Sequence, residues 1–225
     1  MRLALAVVAA AVAATAGSAR AADECEGLDV CISVPGPWVV VPGAKSSGVR
    51  RVEYQLTCPR GSIVAGLDAV LGDQRIDVTF VGALGSPVAP GITTTRSAVF
   101  VATWTGDRPT FFRPFLGCLP TSGGGRGTTA VAPRPPQRVV RNLRVRAGAA
   151  RAHSVSCGAG RRVVSSSHAV GIRRRAEPAA DMLTAVSVTR ANALDHVTVR
   201  ARRSPAIPAG VAVHVQVHAL CAEAR

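Results

Sequence analysis

Several things are scarce in this chain. Of its 27 basic residues only Lys45 is a lysine, and no aromatic side chain follows Phe115. Beyond the N-terminal segment no apolar run approaches the roughly 20 residues that a membrane-spanning helix needs, so the mature chain should have no transmembrane segment. The six cysteines never form C-x-x-C, which excludes a zinc knuckle and a thioredoxin-type redox pair. G-x-S-x-G, H-E-x-x-H and phosphate-loop patterns are missing. After the N-terminal segment there is also no convincing apolar period of 3.6 residues, the mark of an amphipathic helix.

The N-terminus itself is informative. Arg2 precedes an apolar run from Leu3 to Ala16, followed by Gly17-Ser18 and the A-x-A pattern Ala19-Arg20-Ala21. A basic start, a short apolar stretch and small residues at −3 and −1 describe a secretory signal peptide, 1–21, cleaved after Ala21. Cys25 follows Ala22-Asp23-Glu24 and so does not sit at the cleavage site, where a lipoprotein signal would need it. The expected location is secreted, with cell-envelope association open. All six cysteines follow the cleavage site, an even number suited to an oxidising compartment.

Charge divides the chain. From Ala22 to Gly125 there are 8 basic and 9 acidic residues; from Arg126 to Arg225 there are 17 and 4, a balance of +13. Preference for arginine over lysine fits the codon bias of a high-GC genome. Codon bias cannot explain the asymmetry, because one genome wrote both halves. All five histidines fall in the basic half and all eight aromatics in the other.

The chain also matches itself. Aligning Cys58 with Cys157 superimposes Gly61 on Gly160 and Val64 on Val163. FLGC ends at Cys118 and HALC at Cys221, so each copy is bracketed by two cysteines. Within each copy the apolar period is two: Val52, Tyr54 and Leu56 alternate with polar residues, as do Val211, Val213, Val215 and Val217. Pro- and Gly-rich turns punctuate these runs, the pattern of an antiparallel sandwich or barrel. The expected fold is all-β: two similar, disulfide-stapled, antiparallel sandwich-like modules after a cleaved signal peptide. The segments are 22–35 with a small Cys25–Cys31 loop, a first module 36–119, a Gly/Pro linker 120–137, and an Arg-rich second module 138–225. Six cysteines allow 15 pairings in principle; the brackets select Cys58–Cys118 and Cys157–Cys221. Having no aromatic of its own, the second module should build its core from Val, Ala, Leu and a few Ile.

A cysteine with glycine at +3 and valine at +6, and a last strand ending in Cys-Ala, resembles modules of uncharacterised exported proteins from actinobacterial-type, high-GC bacteria. LTCPRGSIVAG opens such a module here and VHVQVHALCAEAR closes one. The second copy departs from the pattern, with Gly158 where the first has Pro59. The resemblance implies a structural staple and a turn, and no activity or site residue.

Candidate chemistry is sparse. His214, Gln216 and His218 share one face of the last predicted strand. Residues four apart on a strand are about 13 Å apart, too far to share one metal ion held within about 2.1 Å, so they read as polar residues of a solvated face. No metal and no cofactor is expected. A secreted hydrolase would draw on Asp68, Asp73, Asp77 or Asp107, and a carbohydrate-binding module on Trp104, Phe111, Phe112 or Phe115. Neither set is singled out, and both readings stand as alternatives to the leading one: a non-catalytic protein whose basic half binds anionic envelope polymers or an anionic lipid surface. Its residues are Arg144 and Arg146 on one outward strand face, Arg200 and Arg202 on another, and Arg161, Arg162, Arg173, Arg174 and Arg175 in loops. Guanidinium groups grip phosphates and carboxylates, often bidentately. With no aromatic side chain to stack on bases, sequence-specific nucleic-acid recognition is not expected of this half.

Overall fold

A computed structural model of the chain describes residues 24–43, 51–82, 95–121, 136–148 and 150–224. The expected signal peptide and nearly all of the expected linker lie outside these residues. The first half contributes β1 (Ile32–Pro35), β2 (Trp38–Val41), β3 (Arg51–Thr57), β4 (Ser62–Leu71), β5 (Asp77–Gly82), β6 (Ser97–Thr103) and β7 (Thr110–Pro120). The second contributes β8 (Gln137–Val145), β9 (Arg151–Ser156), β10 (Arg161–Arg173), one helical turn α1 (Ala180–Leu183), β11 (Val186–Asn192), β12 (His196–Arg203) and β13 (Ala212–Glu223). The fold is all-β and antiparallel, stapled by three disulfides: Cys25–Cys31, Cys58–Cys118 and Cys157–Cys221.

The period of two does what alternation dictates. On β3, Val52, Tyr54 and Leu56 are buried while Arg51 and Thr57 are exposed. On β12, Val197, Val199 and Ala201 are buried while Arg200 and Arg202 face solvent.

The strands form one seven-stranded sheet and two three-stranded ones. In the large sheet β7 pairs with β4 on one edge and with β1 and then β2 on the other; β2 pairs with β10, β10 with β13, and β13 with β8. The small sheets run β3-β6-β5 and β11-β12-β9. They lie against opposite faces of the large sheet. Successive residues of β2 show this, because Val39 and Val41 enter the core with Tyr54, Leu56 and Phe100, whereas Trp38 and Val40 enter the core with Val197 and Val199.

Several local features recur in the two halves. β4-β7-β2 corresponds to β10-β13-β8, and β3-β6-β5 to β9-β12-β11. Each long pair has its register shift at the same place, between Val64 and Gly66 in β4 and between Val163 and Ser165 in β10. The amide of Val64 donates to Thr95 O (2.9 Å) and that of Val163 to Leu194 O (2.7 Å). Gly61 and Gly160 both take positive φ, 77° and 70°, in the turn that reverses the chain after the cysteine. Such a φ strains any residue with a Cβ.

Two features depart from the expectations, β1 and the composition of the second core, and the seat of the Cys25–Cys31 turn adds to them. Residues Ile32–Pro35, placed in the N-terminal segment, form β1 and pair with β7. The N-terminal turn that Cys25–Cys31 closes rests on a pair of facing glycines: a Cβ on Gly66 or Gly117 would come within 1.7 or 1.9 Å of Glu24 O. The second half's core is also not confined to its own aliphatic residues. Trp38 sits in it and Phe111 packs against it, with Met182 of α1 beside them. Pairing of β2 with β10 carries Trp38 across, so the two halves share a sheet and part of a core.

Candidate anion-binding surface

Strand ends decide where the arginines gather. The second half has its disulfide at one end, where β9 stops, β10 starts and β13 stops. At the other end β8 stops at Val145, β9 starts at Arg151, β10 stops at Arg173, β12 stops at Arg203 and β13 starts at Ala212. Arg144, Arg146, Arg173, Arg174, Arg175 and Arg202 therefore belong to this disulfide-distal end. So do Arg151 and Arg203, which alternation within strands did not single out. Arg161 and Arg162 lie at the opposite end, opposite Glu223 and Ala222 in the ladder, and do not join the group. Arg200 lies midway along the outer face of the small sheet, between Thr189 and Ala152.

The faces differ. Arg144 stands opposite His214 on the same face of the large sheet as Gln216 and His218, at its disulfide-distal end, and Arg202 opposite Ser187 on the outer face of the small sheet. What links them is the end of the sandwich, which is dimpled. One hollow of about 390 Å³ is lined by Arg144, Arg146, Arg203 and the 209–212 turn, and another of about 350 Å³ by Gly148, Ala150, Arg202, Arg203 and Pro205. Arg203 is buried and structural: its guanidinium donates to the carbonyls of Ile207, Pro208 and Val211. Among the described residues none of Arg144, Arg146, Arg151 or Arg202 pairs with a carboxylate. Burial, with Arg173 and Arg144 nearby, holds the His214 imidazole below its ordinary pKa. Positive charge here is thus concentrated and unneutralised.

Asp73 and several aromatics of the first half are engaged by neighbouring groups. Asp73 is paired with Arg75 at 2.8 Å, and the side-chain and backbone bonds from Arg75 hold it down to about 2. Asp68 lies on β4 in the large sheet and Asp77 on β5 in a small one, so the strands do not bring these two acids onto one sheet. Of the aromatics, Trp104 and Phe112 are buried. Trp104 donates to Arg108 O and lies under Arg75. Phe111 abuts Trp38 edge-on at 5.3 Å, and Arg113 covers both Trp38 and Phe115. None of these four aromatics offers a bare platform to a sugar.

His214, Gln216 and His218 need a correction. They share a strand face, but Gln216 and His218 are 2% and 1% exposed, because β3 of the first half lies over them. The face is an internal joint and not a solvated surface. Among the described residues no three His, Cys, Asp or Glu side chains converge to hold a metal ion, and no helix is long and apolar enough to cross a membrane. Three disulfides are compatible with an extracellular protein. Comparison with protein-family models, with curated proteins and with solved structures finds no match for the chain.

Proposed function

We propose that this is an exported, non-catalytic binding protein whose second half holds anionic polymers of the cell envelope, or an anionic lipid surface, at its disulfide-distal end. The observation that carries the reading is the cluster of Arg144, Arg146, Arg151 and Arg202 around shallow hollows, with no carboxylate partner among the described residues. One sign of charge concentrated on a small surface raises the local concentration of polyanions. Arginine donors in a fixed fork suit the phosphates of teichoic acids and lipid headgroups. Export rests on residues 1–21 and agrees with the disulfides. The matched bulges and turns favour an origin by duplication, after which one copy acquired the charge.

Because the halves share a core, the test uses the whole oxidised mature chain. Teichoic acid should bind with an affinity that falls steeply with salt, since each phosphate neutralised releases counterions. The Arg144→Gln/Arg146→Gln/Arg202→Gln variant should bind more weakly and lose roughly 0.7–0.9 of slope in log K against log salt for each contact removed. Arg161→Gln/Arg162→Gln, at the opposite end, should bind as the wild type does. Equal loss in both variants would mean that only net charge matters, and would refute a localised site.

A further inference from the structure

The halves meet at a polar joint whose centre, Gln216 and His218, is buried. From the first half β3 presents Glu53 and the backbone of Gln55; from the second, β13 presents Gln216 and His218, and β8 presents Arg138. The Gln216 amide takes both backbone groups of Gln55: the Gln55 N–H donates to Oε1 (2.6 Å), and Nε2 donates to Gln55 O (3.0 Å). Nε2 also donates to Asn142 Oδ1 at 3.0 Å. β3 is an edge strand with β6 on its other side, so this one side chain stands in for a neighbouring strand on an edge that would otherwise be unpaired.

The rest of the joint follows from donor arithmetic. Oε1 of Gln216 can only accept, so His218 Nε2, 2.7 Å away, carries the proton. Nδ1 is then bare, and it accepts from Arg138 at 2.8 Å. The same Arg138 nitrogen donates to Glu53 Oε2 at 2.6 Å, and Arg51 holds Glu53 Oε1 at 3.0 Å.

We propose that this chain of bonds is an acid-released clasp between the halves, opened when His218 takes a proton on Nδ1 and loses its bond from Arg138. Protonation puts a donor where only an acceptor fits and an imidazolium beside a guanidinium. The charged groups facing His218 are Arg138 from β8 and Glu53, with Arg51 behind it, from β3; β10 places Ser167 opposite it and β8 places Val140. Burial pushes the Glu53 carboxyl up, but Arg138 and Arg51 outweigh this and hold it below its ordinary range, so it stays committed to them. For His218, burial and then Arg138 outweigh Glu53 and hold the imidazole down to about 4. An opened joint exposes a histidine of ordinary pKa, near 6.5. The closed joint is thus fully favoured above pH 6.5, loses ground as pH falls through that window, and levels off about one unit below 4. The opening constant rises by about 150-fold by pH 4, on the way to a limit of about 300-fold.

Amide exchange of Gln55 reads the clasp directly, because that N–H is bonded to Gln216 and not to a strand. It is measured by NMR on the intact oxidised chain from pH 7 to 4 and divided by the intrinsic rate at each pH. Protection of Gln55 should be level above pH 6.5 and fall by up to about 150-fold by pH 4. Protection of Phe100, in the middle of the same small sheet, should fall far less. His218→Gln cannot titrate and should remove the pH dependence. His168, held to about 4 by burial and Arg190 on the opposite face of β10, titrates in the same window, and His168→Gln should leave the Gln55 profile unchanged. A second reading survives a variant that does not fold: the His218 ring proton of the wild type should titrate near pH 4. Titration near 6.5, level Gln55 protection, or an equal fall at Phe100 would each overturn the clasp.

Discussion

Gln216→Ala tests how firmly the halves are joined. The substitution removes an amide that is 2% exposed and strips four groups of its bonds: Asn142 Oδ1, which is on an exposed residue and can take water instead, and the N–H and C=O of Gln55 and Nε2–H of His218, which are left without partners. A buried polar group stripped of its partner costs about 1–3 kcal/mol. The lower end of that range applies to each, because water can follow a truncated side chain to the edge of β3, and the sum is about 3 kcal/mol. Gln55→Ala is the matched control. Its side chain reaches only Thr57 Oγ1 at 3.5 Å, at the surface, and its backbone bonds to Gln216 survive, so the cost should stay within about 0.5 kcal/mol. Urea melts of the oxidised chain at pH 7, where His218 is neutral, measure both. A loss below about 1 kcal/mol for Gln216→Ala, or an equal loss for Gln55→Ala, would show that the amide does not substitute for a strand.

Two further outcomes follow from the staples and the facing glycines. Replacing Cys157 and Cys221 together by serine opens a loop of 64 residues and should cost about 4 kcal/mol in a urea melt, against about 2 for Cys25 and Cys31, six apart; equal losses would contradict the chain-entropy account. Gly66→Ala puts a methyl group on Glu24 O and should lift the Cys25–Cys31 turn at a cost of about 2 kcal/mol, seen as a lower melting temperature and faster amide exchange at Leu28, whose N–H donates to Cys25 O. An unchanged melting temperature would mean that the turn is not seated on the glycine pair.

Local pattern carried much of the fold. Alternation such as Val52-Glu53-Tyr54-Gln55-Leu56 needs only the geometry of one strand, and it placed buried and exposed residues correctly on β3 and β12. The cysteine brackets, read against the internal match, selected the pairs Cys58–Cys118 and Cys157–Cys221. Outward placement of Arg200 and Arg202 was legible for the same reason. β1 was not, because ISVP is four residues long and shows its pairing only beside β7.

Tertiary structure alone decided the rest. A strand's own sequence states which residues share a face, never what covers that face. His214, Gln216 and His218 share a face, as their spacing implies, yet only the docking of β3 makes Gln216 and His218 internal. The gathering of Arg144, Arg146, Arg151 and Arg202 at one end depends on where three separate strands start and stop, and the exclusion of Arg161 and Arg162 depends on where β10 starts. Most of all, the sharing of one sheet by the two halves was not readable in the sequence. β2 has β7 along one edge and β10 along the other, and its two faces serve two cores, with Val39 in one and Trp38 in the other. Four apolar residues in a row, Trp38-Val39-Val40-Val41, state that a strand is buried on both sides. Which halves of the molecule do the burying is settled by long-range packing, since the hydrophobic effect rewards any apolar cover and has no direction of its own.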